Sequence, residues 1–80
     1  MEYVVLKEYS SKFEKILYDK IAFETYLGAK ALYEHFIATT KCEKFLYYEG
    51  IVTISIIKDN GEDYDVLDEE IIEVGKYKWY

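Results

Sequence analysis

The stretch Ile51-Val52-Thr53-Ile54-Ser55-Ile56-Ile57-Lys58-Asp59-Asn60-Gly61-Glu62-Asp63-Tyr64-Asp65-Val66-Leu67 decides the fold. Its opening run is rich in β-branched side chains, which are stiff at the first torsion and suit a pleated surface. Alternation puts Val52, Ile54 and Ile56 on one face and Thr53 and Ser55 on the other. Asn60-Gly61 reads as a tight two-residue hairpin turn, because such a turn needs positive φ at both central positions. Tyr64 to Leu67 is then the returning strand. The expectation is a hairpin at the centre of a small sheet, opening into the most acidic part of the chain.

Upstream, residues 44–48 alternate as a strand, with Leu46 facing one way and Phe45 and Tyr47 the other, and Glu49-Gly50 reads as a turn or bulge. Residues 25–39 carry the main helix. Ala22, Tyr26, Ala29, Leu32, Tyr33, Phe36 and Ile37 cover an arc of about 140° on a helical wheel. Thr25 is placed to cap this helix and Thr39-Thr40 to end it. Residues 2–9 alternate as a strand, with Tyr3, Val5, Lys7 and Tyr9 on one face. The segment from Ser10 to Ile21 has two readings. Ser11 followed by Glu14 suits a capping box opening a helix, but Phe13 to Tyr18 also suits a hairpin arm turning back through Ser10-Ser11. The arm is favoured, since a sheet needs pairing partners.

Downstream, Asp68-Glu69-Glu70 is too charged to bury and reads as a loop or exposed edge. Residues 71–74 add a short strand, Gly75 breaks it, and the last five residues alternate lysine with Tyr77 and Trp79. With no repeat or linker, residues 1–80 form a single α+β domain. Its architecture is a small antiparallel sheet of four to five strands with one main helix, about 25–39, packed on one face.

Eighty residues support only a marginal core. The 51% apolar and 19% aromatic content offsets this, since each large ring removes roughly 150–250 Å² from water. A homodimer is a further route to sufficient burial. The single cysteine, Cys42, allows no internal disulfide. No apolar run reaches the roughly 18 residues of a membrane span, and the N-terminus has no signal-peptide pattern. These features point to an intracellular protein with no membrane partner.

Catalytic groups are scarce. The one histidine, His35, falls off the apolar arc in mid-helix, and Cys42 lies seven residues beyond it with no third orienting group. Asp59-Asn60-Gly61-Glu62-Asp63 looks like a calcium loop but lacks the ligand spacing and the distal glutamate. The four glycines are scattered, so there is no phosphate-binding loop. No catalytic residue, metal ligand or cofactor site is expected, and the chain reads as a non-enzyme.

Charge carries more information. Residues 1–58 balance eight acids against eight lysines, whereas residues 59–75 hold eight acids and no base. The net charge of −6 arises there. There is no arginine anywhere in the chain. Arginine is the side chain that grips phosphate bidentately, so direct nucleic-acid binding is not expected. An anionic face would instead be drawn to a basic protein groove. The candidate partner-binding residues are Asp59, Glu62, Asp63, Tyr64, Asp65, Asp68, Glu69, Glu70, Glu73 and Trp79, the aromatic ones as apolar anchors. The bland counterpart is a charged edge strand that resists aggregation.

In size, acidity and lack of arginine the chain resembles small phage-encoded inhibitors of bacterial defence, including anti-CRISPR proteins and DNA mimics. The residues carrying the likeness are Asp59 to Glu73 with their adjacent tyrosines. The resemblance implies a stoichiometric binder in the host-cell cytoplasm that occupies the basic groove of a nucleic-acid-handling protein. Two alternatives stand beside it: an oligomeric sponge holding a nucleotide-like ligand between aromatic rings, and a plain protein-interaction module.

Overall fold

The computed structural model describes residues 2–75. In chain order these form β1 (Glu2–Ser10), β2 (Lys15–Phe23), α1 (Tyr26–Glu43), a 3-10 turn (Lys44–Leu46), β3 (Gly50–Asp59) and β4 (Tyr64–Val74). The strands make one antiparallel sheet in the order β2-β1-β3-β4. The α+β architecture is therefore as expected, with four strands among the described residues. Only half of the decisive hairpin is central: β3 lies inside the sheet and β4 is its edge. Residues 71–74 are not a separate strand but the end of β4, so the charged run Asp68-Glu69-Glu70 lies on the edge strand, the second of its two readings, and not in a loop.

Register explains the core. Tyr9 pairs with Val52, Lys7 with Ile54 and Val5 with Ile56, while Val52 in turn pairs with Ile72. These positions share one face, and α1 lies across it. Val5, Tyr9, Val52, Ile54, Ile56, Ile72 and Val74 form the core with Ala29 and Tyr33 of the helix. The alternation expected for β1 and β3 is what the sheet uses. Lys7 is the polar residue of that face in β1. Its ammonium lies 5.6, 5.6 and 5.9 Å from the ring centroids of Tyr18, Phe36 and Tyr47, where ring quadrupoles replace part of the water it loses. Tyr18 and Tyr47 also contact Tyr9, which makes an aromatic wall at one end of the helix-covered face.

The helix begins where it was expected to, with the Thr25 hydroxyl accepting from Gly28 N at 3.2 Å. It does not stop at Thr39-Thr40 but continues to Glu43. The Thr39 hydroxyl donates back to the His35 and Phe36 carbonyls, at 3.0 and 3.2 Å, so its competition with the backbone is absorbed within the helix. Thr40 is fully buried. Ala22, read from its spacing as part of the helix, lies in β2 instead. The strand expected at residues 44–48 is absent. Those residues are spent leaving the helix and re-entering the middle of the sheet, and Gly75 N donates to the Lys44 carbonyl at 2.8 Å to close that corner.

The segment with two readings resolves as the hairpin arm β2. The Ser11 hydroxyl does bond Glu14 N, at 3.2 Å, but Ser11 N also donates to the Glu14 carbonyl at 2.9 Å, so the motif closes a loop instead of starting a helix. The second hairpin uses the same device: Asn60 N donates to the Asp63 carbonyl at 2.9 Å, and the loop spans 60–63. It is therefore longer than the two-residue turn expected from Asn60-Gly61. Only Gly61 takes positive φ, at 96°, because the Asp59 carboxylate accepts from Gly61 N at 2.8 Å and holds Asn60 in an ordinary turn conformation.

A candidate anionic interface on the second hairpin

The acidic residues come together in sequence, but the pleat and one bulge divide them in space. Asp59 pairs with Tyr64, Lys58 with Asp65 and Ile57 with Val66; the register then slips, and Ile56 pairs with Asp68. Leu67 is the extra residue of a β-bulge. Beyond it, Asp68, Glu70, Ile72 and Val74 face the helix, whereas Glu69, Ile71 and Glu73 face the opposite side. The bulge thus delivers Ile72 and Val74 to the core and separates Asp68 and Glu70 from Glu69 and Glu73.

The helix-facing acids are engaged inside the molecule. Asp68 accepts from the Tyr26 hydroxyl at 2.5 Å and from the Lys30 ammonium at 3.4 Å. Lys30 in turn stands over the Tyr33 ring, 4.8 Å from its centroid. Glu70 lies 3.9 Å from the Lys41 ammonium. The bond to Asp68, reinforced by burial, raises the Tyr26 hydroxyl above its ordinary 10.0. For Lys30, burial pulls downward, but the hydrogen bond and charge of Asp68 outweigh it and the net direction is up. Tyr26 and Lys30 stand one helical turn apart, a spacing visible in the sequence, yet nothing there identified Asp68 as their shared partner.

What remains for a partner is the tip. Asp59, Glu62, Asp63 and Asp65 are all exposed. Asp63 accepts from Tyr64 N at 3.0 Å and Asp65 from the Asn60 amide at 3.3 Å, so the two carboxylates are held by the loop while keeping further lone pairs outward. Tyr64 projects beside them, on the face away from the helix. The two loops, 11–14 and 60–63, lie at opposite ends of the sheet. The acidic tip therefore forms one end of a molecule 48 Å long. The expected single anionic face is thus an anionic end plus two separated rows. Trp79, the second expected anchor, lies outside the described residues.

At the opposite end, an open depression of about 640 Å³ runs between the loop 11–14 and residues 48–51, with Lys12, Phe13 and Tyr48 on its rim. Among the described residues, no three His, Cys, Asp or Glu side chains converge as metal ligands. No helix among them is long and apolar enough to cross a membrane. His35 is exposed on the helix surface and Cys42 is an exposed free thiol near its end. No protein-family model, curated protein or solved structure matches the chain.

Proposed function

We propose that this chain is a stoichiometric binding protein that docks the tip of its second hairpin into a basic groove of a nucleic-acid-handling protein. The observation that carries the reading is the exposure of Asp59, Glu62, Asp63 and Asp65 together at one end, on a loop pinned by its own hydrogen bonds. A pinned loop loses little entropy on docking. Clustered carboxylates speed encounter with a cationic groove and weaken in salt. Tyr64 beside them supplies apolar area of the kind that anchors interfaces. The other carboxylates contribute less to docking, because Asp68 and Glu70 already have cationic partners in the helix. The compositional likeness to phage-encoded inhibitors of bacterial defence supports the same reading, with competition against a polynucleotide as the mode of inhibition.

The test is competition. The immobilised chain is offered to basic nucleic-acid-binding proteins at low and high salt, and duplex DNA is then added. Capture lost at high salt and displaced by DNA is the expected result. Reversing Asp59, Glu62 and Asp63 together to lysine should weaken capture about a hundredfold, in line with the loss of several charge contacts, while reversing the helix-facing Glu70 should weaken it far less. Equal affinity for the triple variant and the parent protein would refute the assignment.

A further inference from the structure

The sheet has a second face, and α1 does not touch it. On it stand Val4, Leu6, Leu17, Ile57, Val66 and Ile71, in positions the register assigns to the side opposite the core. Val4 is only 4% exposed yet stands apart from the core cluster. Leu17, Val66 and Ile71 are 52, 53 and 59% exposed. An apolar face of this extent on a small domain marks a contact surface.

We infer that this face packs against the same face of a second copy of the chain, about a two-fold axis parallel to the strands. The argument is the charge pattern read row by row. Cross-strand partners form rows across the sheet from β2 to β4. One row runs from Lys15 to Glu73, the next from Leu17 to Ile71, the third from Lys20 to Glu69 and the fourth from Ala22 to Val66. A two-fold axis along the strands keeps each row at its level and exchanges its ends. Every lysine then meets a glutamate of the other copy, and every apolar end meets an apolar end. An axis across the strands would instead set β2 on β2 and β4 on β4 and reverse the order of the rows, bringing the two lysine edges together and the two glutamate edges together with no lysine opposite a glutamate. Aligned packing of two sheets keeps their strands within about 30°, so the rows stay in reach near the centre.

Two further observations favour the face over an edge. Both edge strands carry a bulge, at Tyr18 in β2 and at Leu67 in β4, and bulges twist an edge away from strand addition. The face itself is of sufficient size. Four strands about 4.8 Å apart and about 30 Å long present a footprint of roughly 600 Å² before side-chain relief is counted. That approaches the roughly 800 Å² per partner of a stable complex. Within one chain Lys20 and Glu69 stand on opposite edges, three strand spacings or about 14 Å apart. Among the described residues neither has an ion-pair partner. The two-fold axis also places both acidic tips at the same end of the dimer.

The experiment is light scattering or sedimentation of the full chain over a range of concentrations. The parent protein should be a dimer. Lys20→Glu and Glu69→Lys should each weaken self-association about tenfold or more, since each sets two like-charged pairs face to face. Mixing the two variants should restore a one-to-one heterodimer, because every pair is then of opposite sign, and the double variant should dimerise by itself. Both positions are exposed, so circular dichroism should show an intact fold. A parent chain that stays monomeric overturns the inference. So does a dimer indifferent to both reversals, or a mixture that fails to pair. Target capture by the hairpin tip is read separately, so either result can fail without the other.

Discussion

Thr40 shows how much a single atom can matter in a core this small. It is fully buried in the helix, and its hydroxyl oxygen has no hydrogen-bond partner. A buried hydroxyl without a partner is destabilising, so Thr40→Val should raise stability by about 1 kcal/mol in chemical denaturation. A loss on that substitution would mean that the hydroxyl is satisfied after all. Tyr26 makes the opposite case. Its bond to Asp68 raises its proton affinity, and burial does the same for Tyr33 and Tyr18. Lys30 is raised as well, the Asp68 interactions overcoming its burial. In all four the folded state holds the proton more tightly than the unfolded chain. Their contribution is therefore complete below the ordinary tyrosine value of 10.0 and is lost as pH climbs through the raised folded values. Stability should fall steeply above about pH 10, and Tyr26→Phe, which cannot ionise, should show a shallower alkaline decline. Identical slopes in the two proteins would remove Asp68 from that account.

At the scale of the element, the β4 bulge is the feature that decides most. Were Leu67 paired in the ladder instead of bulged out, the pleat would carry Glu69, Ile71 and Glu73 toward the helix and expose Ile72 and Val74, because a one-residue slip exchanges the faces of a strand. Deleting Leu67 should therefore keep cooperative thermal unfolding, because Val66 and Asp68 already stand on alternate faces, whereas inserting one residue between Asp68 and Glu69 should turn Ile72 and Val74 away from the helix and abolish it. Two glycines bound the same hairpin. A Cβ at Gly50 would sit 2.5 Å from the Ser10 carbonyl oxygen, and one at Gly75, where φ is 73°, would sit 2.4 Å from Glu49 N. Either substitution by alanine should cost more than about 2 kcal/mol, at Gly50 through the clash alone and at Gly75 beyond the roughly 1 kcal/mol set by left-handed backbone. Gly61→Ala supplies the comparison, since its φ is also positive but the space around it is open. A melting shift at Gly75 no larger than at Gly61 would show that the corner with Glu49 can relax.

For the whole molecule, the division of labour is between a covered face and an uncovered one. Among the described residues one α-helix is available, and it covers the face bearing Tyr9, Ile54 and Val74. The other face keeps exposed leucine, valine and isoleucine side chains among lysine and glutamate. The acids of the second hairpin are shared among three surroundings: the tip, the helix side and the open face. That is why reversal of tip charges and reversal of open-face charges should change different measurements, target capture in one case and self-association in the other.

The alternation of β3 and the spacing of Tyr26, Ala29, Tyr33 and Phe36 determined the α+β class, the helix cap at Thr25 and most of the core, since local geometry repeats at every residue and leaves its period in the sequence. The hairpin arm from Lys15 to Phe23 was legible only as the better of two readings, because nine residues are too few for period alone to decide. Tertiary structure decided the rest. The strand order, the slip at Leu67 and the pairing of Asp68 with Tyr26 and Lys30 depend on contacts between distant segments. A sequence pattern states which side chains alternate, but only the completed sheet states which neighbour each one meets. The eight acids of residues 59–75 were visible as charge, and their separation into a tip and two faces follows from the pleat, the bulge and the position of the helix.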